Sequence, residues 1–111
     1  FSEGVMQGRI TIEQFVKLLC TNPARIYGAY PQKGTLQPGS DGDIILIDPR
    51  GSGELTVKNL HGVVDYSCYE GLKLQGALKL VLSKGEIVCR EGRFSGQAGA
   101  GKFLVRQVRP K

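Results

Sequence analysis

The chain has 111 residues, 41% of them hydrophobic, and a formal charge of +5. One modest core is within its reach, while no run approaches the roughly 20 apolar residues that a membrane span needs. The charge is uneven. From Arg93 to Lys111 there are five basic residues and no acidic one, so the rest balances to zero. That describes a basic arm on a neutral body rather than a basic domain.

Phe1, not Met, stands first, and the opening residues read as the end of a helix, so the chain is expected to be a piece of something longer. Residues 2–7 carry no basic lead and no long apolar segment, which excludes a signal peptide. Arg9-Ile10 leads into Thr11-Ile-Glu-Gln14, a capping box in which Thr11 and Gln14 satisfy each other's backbone donors. Ile12, Phe15, Val16 and Leu19 then recur at helical spacing, an apolar stripe expected to pack in a core. This helix is expected to stop near Cys20 or Thr21, ahead of Pro23. Asn22-Pro23 can cap and start a second, short helix that Gly28 ends.

Pro31, Gly34, Pro38 and Gly39 forbid regular helix, and Gly39-Ser40-Asp41-Gly42 reads as a turn. Asp43-Ile-Ile-Leu-Ile-Asp48 is a continuous apolar run stopped by Pro49, the pattern of a strand buried on both faces. Gly51-Ser-Gly53 reads as a loop, and Leu55–Leu60 alternates as a strand with one wet face. Val63–Gly71 is mixed and reads as an ordered loop. Leu78–Ser83, Lys84-Gly85 and Glu86–Arg90 have the signature of a hairpin, with Glu91-Gly92 a second turn before Arg93-Phe94. Ser95 to Gly101 is rich in Gly and Ala, and Phe103–Val105 reads as a last short strand or an arm. Helices followed by strands give an α+β class, in two layers or parts of two domains.

Several stretches resemble the cyclic amidohydrolases, in particular the dihydropyrimidinases and hydantoinases. Asn22-Pro23-Ala24-Arg25, Tyr27-Gly28, Lys33-Gly34 and Gly39-Ser40-Asp41-Gly42-Asp43 follow the superfamily's pattern, with Gly42 in place of its usual Ala. Asp65-Tyr66 with Glu70-Gly71, the segment Gly85–Phe94, the run Gly96–Phe103 and Phe1–Val5 are similar to the narrower family in the same order. The resemblance implies a C-terminal fragment of a ring-opening hydrolase. Residues 1–30 would be terminal helices of a TIM-type barrel, residues 31–94 the C-terminal strands of a small β-sandwich, and residues 95–111 a basic Gly-rich tail that docks on a neighbouring subunit. It implies hydrolysis of the cyclic amide bond of dihydropyrimidines or hydantoins, two divalent metals (zinc) bound upstream, a cytoplasmic homotetramer, and partnership with the missing N-terminal part. Alternatives are a non-catalytic scaffold of the same family, a dihydroorotase or an allantoinase.

The chemistry visible in these residues is thin. The family's histidines, carboxylated lysine and aspartate have no counterparts here, so no catalytic, cofactor or metal residue is assigned and the chain alone is expected to be inactive. Cys20, Cys68 and Cys89 are widely spaced without a CxxC, which suggests reduced thiols in the cytosol. Joining them to His61 in a zinc site runs against the habit of paired ligands. Asp41 and Asp43 lack the spacing and distal Glu of a calcium loop and read as turn residues. Gly96 to Lys102 has most of a phosphate-binding loop, yet Phe103 stands where Ser or Thr would hold magnesium. Tyr66, Tyr69 and Glu70 read as loop packing, with a subunit contact or an approach to the site as the other possibility. The basic tail lacks interleaved aromatics, so no nucleic-acid partner is expected; a stand-alone binding module with a basic arm remains the contrasting alternative. Half a sandwich leaves strand edges unpaired, so the isolated chain is expected to self-associate.

Overall fold

In the computed structural model, which describes residues 1–60 and 62–106, the chain begins with a π-helical turn, Ser2–Met6. The predicted capping box then forms: the Gln14 N–H donates to the Thr11 hydroxyl at 3.2 Å, and the Thr11 N–H donates to the Gln14 side chain at 2.9 Å. It starts helix α1, Ile12–Val16.

The helix does not stop ahead of Pro23, which corrects the sequence reading. It passes through a π-helical turn, Lys17–Thr21, straight into α2, Asn22–Ile26. Thr21 and Asn22 both keep helical backbone angles, so Asn22 is a through-residue and not a cap. Its N–H donates to the carbonyl of Lys17, five residues back. A proline ring in a regular helix collides with the carbonyl four residues behind and leaves it without a donor; a widened turn just ahead of Pro23 relieves both problems. The predicted stop at Gly28 holds. Gly28 takes φ +70°, and the N–H groups of Gly28 and Ala29 donate to the carbonyls of Arg25 and Ala24 at 3.3 and 2.8 Å, a Schellman closure.

Four antiparallel strands follow in the order β1-β2-β3-β4: β1 Ile44–Glu54, β2 Lys73–Ser83, β3 Glu86–Arg90 and β4 Arg93–Phe94. Both predicted hairpin turns are present, Lys84-Gly85 and Glu91-Gly92, each with two successive positive φ angles as the twist of a two-residue hairpin demands. β1 runs past Pro49, where a stop was expected. The register jumps there from Asp48↔Ala77 to Ser52↔Gln75, so Pro49, Arg50 and Gly51 form a bulge. The Arg50 N–H donates to the Asp48 carboxylate at 3.0 Å. β1 has only one neighbour, and an edge bulge is where a sheet tolerates proline.

Leu55–Leu60 is not the predicted strand. Thr56 and Asn59 cap each other around a 3-10 turn, Val57–Asn59, because short polar side chains offer backbone donors a local alternative to a ladder. The Glu70 carboxylate accepts from the Val57 N–H at 2.7 Å. Residues 63–71, read as a loop, contain no helix or strand and end in a turn over 68–71, and Phe103–Val105 joins no strand.

The helical region meets the sheet at its first residues. Phe1 packs edge-on against Phe15, with centroids 5.9 Å apart. Its ring also lies over Gly76 of β2, where a Cβ would stand 2.8 Å from the Phe1 Cε1 atom. Much of the remaining apolar surface is uncovered. Ile12 and Val16 are 46% exposed and Leu19 62%, while Ile45 and Leu46 of β1 are 60% and 51% exposed. Ala24 alone among the described residues is buried. The stripe and the β1 run therefore have the predicted pattern but not the predicted covering.

Candidate functional site

The densest polar cluster lies where the helical region hands over to β1. Pro38 and Gly39 occupy the centre of a turn closed by Ser40 N–H to the Gln37 carbonyl at 3.0 Å. The turn thus sits two residues earlier than the predicted Gly39–Gly42. The Ser40 hydroxyl donates to the Pro31 carbonyl at 2.7 Å, and the Asp41 N–H donates to the Gln32 carbonyl at 2.9 Å. These bonds lay residues 31–33 and 40–43 side by side.

Lys33 then reaches both acids. Its ammonium lies 2.7 Å from the Asp41 carboxylate and is ion-paired with Asp43 as well. The other Asp43 oxygen accepts the Lys84 N–H at 2.8 Å, and the Gly85 N–H donates to the Gly42 carbonyl at 2.9 Å. One lysine and two carboxylates thus tie the entry loop to the turn between β2 and β3. Gly34, next to Lys33, is pressed on the helix: an added Cβ would lie 2.7 Å from the Cys20 carbonyl oxygen. The Thr21 hydroxyl donates to the Gly34 carbonyl at 2.9 Å. A side chain at position 34 would therefore push the loop away from the helix.

The electrostatics are those of a closed clasp. The hydrogen bond from Lys33 holds the Asp41 carboxyl below the usual carboxylate range. Partial burial pushes Asp43 up, but the Lys33 ammonium and the Lys84 N–H outweigh it and leave the group lowered. Burial likewise works against the Lys33 charge, and the two carboxylates more than restore it, so its pKa is raised. Every member is thus driven away from neutrality, the opposite of a general acid or base poised to exchange protons. The cluster holds structure.

The other residues weighed from sequence are scattered. Cys20 and Cys68 are exposed thiols and Cys89 a half-buried one; His61 lies outside the described residues. No group of three His, Cys, Asp or Glu that could hold a metal exists among the described residues. The two-metal centre that the resemblance implies is expected upstream of these residues, and the Asp41–Asp43 pair is occupied by the Lys33 ammonium. Residues 96–106 contain no helix or strand. Tyr66 and Tyr69 are exposed, and Glu70 serves the 3-10 turn. The reading of Asp41 and Asp43 as turn residues missed their shared partner. Lys33 was visible only as part of a motif, with nothing in its spacing to say that it bridges both.

The profile of the amidohydrolase family matches residues 3–88. This chain belongs to that family. It is 51% identical over 107 residues to a D-phenylhydantoinase of Escherichia coli, covering 96% of this chain and 23% of that protein. Among solved structures it resembles a D-hydantoinase from a Bacillus species, at 43% identity and a TM-score of 0.92, covering 99% of this chain and 24% of the other. A dihydropyrimidinase from Brevibacillus agri is similar at 44% identity and a TM-score of 0.92, again over 99% and 24%. This amidohydrolase chain thus spans about a quarter of the length of the relatives it matches. Its small α+β fold, with a four-stranded antiparallel sheet, is the fold of that quarter.

Proposed function

We propose that this chain is the C-terminal support region of a cyclic amidohydrolase that opens hydantoin or dihydropyrimidine rings by hydrolysing a ring C–N amide bond. The observation that carries this reading is about half identity to named hydantoinases along nearly the whole chain, over only 23% of their length. The surface supports it. A folded monomer of this mass exposes about 6,000 Å², whereas this chain exposes 9015 Å². Part of the exposed apolar surface is the stripe of Ile12, Val16 and Leu19 and the β1 residues Ile45 and Leu46, faces that a larger protein would cover.

In this reading, residues 1–30 close the helical layer of a TIM-type barrel. Residues 31–94 supply strands to a sandwich that other parts of the protein complete, and residues 95–111 dock on a neighbouring subunit of a homotetramer. The two divalent metals, zinc in our reading, are held by residues outside these 111, and the chain alone is inactive. Its three free thiols agree with a cytoplasmic setting. No helix among the described residues is long and apolar enough to cross a membrane.

The experiment that tests this reading is to determine the coding sequence upstream of the Phe1 codon. A continuous frame bearing a His-x-His pair, a lysine, two further histidines and an aspartate supports it. A frame without those ligands points to a non-catalytic scaffold and overturns the enzymatic part.

A further inference from the structure

β3 and β4 place Arg90 directly opposite Arg93. The register extends this pair into one cross-strand row, Leu46, Leu80, Arg90 and Arg93. Partners in such a row share a face of the sheet, and like charges directly opposite each other are destabilising. Among the described residues no ion pair relieves them. The acid nearest in sequence, Glu91, is turned to Lys79 at 3.6 Å, and among the described residues neither arginine has a carboxylate partner.

Both arginines are exposed, and with Ile87, Glu91 and Ser95 they line an open cleft of about 540 Å³. The Ser95 N–H donates to the Val88 carbonyl at 2.9 Å, which fixes the cleft wall beyond β4. A guanidinium presents a planar fork of donors that matches the oxygens of a phosphate or carboxylate. Two arginine forks on one face, without a carboxylate partner among the described residues, make a place where an anion would turn a repulsion into an attraction.

We propose that this cleft is an oxyanion site, in which one phosphate or carboxylate group is held between Arg90 and Arg93. A free anion and an acidic side chain of a protein share this chemistry, and the test separates them. The inference does not depend on the ring-opening activity.

The full chain is titrated with inorganic phosphate, against chloride at matched ionic strength, while the arginine Nε–H resonances are followed. A glutamate-rich peptide is titrated separately. A saturable response to phosphate or peptide that chloride does not reproduce is expected at Arg90 and Arg93. Tighter binding of phosphate assigns the site to a free anion, and tighter binding of peptide to a protein carboxylate. Arg90→Gln and Arg93→Gln are each expected to weaken binding about tenfold, the worth of one charge-assisted hydrogen bond. Arg93→Lys keeps the charge without the fork and should recover only part of the loss. Lys73→Gln, at the far end of β2, should bind as the parent does. The proposal is overturned if phosphate and peptide act no differently from chloride, or if Arg93→Gln and Lys73→Gln have equal effects.

Discussion

The Ser2 hydroxyl accepts the backbone N–H of Gln75 at 2.9 Å, across a separation of 73 residues. Next to it, the ring of Phe1 lies over Gly76, whose φ of +92° and lack of a side chain allow the approach. This joint ties the first residues of the helical region to β2, and the Lys33 clasp ties the loop that follows it to the turn between β2 and β3.

Gly76→Ala should therefore destabilise the chain by about 1–3 kcal/mol, through backbone strain and collision with Phe1. Urea unfolding measures it. In a Phe1→Ala background the collision is gone and the same substitution should cost less. Equal losses in both backgrounds would mean that Phe1 does not press on position 76.

The clasp sets a pH window. Asp41 and Asp43 have lowered pKa values, so their contribution is complete above the ordinary carboxylate range and lost as pH falls through the folded values. Lys33 is raised, so its contribution is complete below the ordinary lysine value and lost as pH climbs through the folded one. Stability should be flat between about pH 5 and about pH 9 as far as this cluster is concerned. Lys33→Met should move the midpoint of acid unfolding upward. An unchanged acid limb would show that the ion pairs contribute nothing.

Glu70 anchors the 3-10 turn through the Val57 N–H. Glu70→Gln replaces a charged acceptor by a neutral one, which is worth about 1 kcal/mol at an exposed site. Amide exchange at Val57 should accelerate by about five- to tenfold while amides of β2 stay protected. Acceleration of both together would place Glu70 in the global rather than the local fold.

The 9015 Å² of exposed surface exceeds a compact monomer's by about 3,000 Å². β1 adds a free edge, with Ile45 and Leu46 exposed beside unpaired backbone groups. The isolated chain should self-associate at micromolar concentration in light scattering. A monodisperse monomer would contradict this.

The sequence was most legible where local chemistry decides the outcome. Thr11 with Gln14, the Gly28 stop and the two-residue turns at Lys84 and Glu91 need only neighbours within a few positions, and all appeared as read. It was misread where two local rules compete. Pro23 predicts a break, and a π-turn that absorbs the ring carries no sequence mark. Pro49 predicts a strand end, and the bulge that admits it depends on β1 being an edge. The alternation of Leu55–Leu60 was overruled by the side chains of Thr56 and Asn59. The clasp stayed hidden because the reach of Lys33 to Asp41 and Asp43 depends on how two loops fold back. Apolar pattern says which face is to be covered, not what covers it.

A ring-opening assay on the complete translation product of the frame that encodes these residues decides whether the parent protein opens hydantoin or dihydropyrimidine rings. Hydantoin and dihydrouracil are supplied as substrates, with and without a chelator, and the N-carbamoyl acid is quantified. The whole product is expected to form that acid from at least one ring and to lose this activity on chelation, and the isolated 111-residue chain is expected to form none. A whole product that leaves both rings intact with metal supplied, or an isolated chain that opens either one, would contradict this reading.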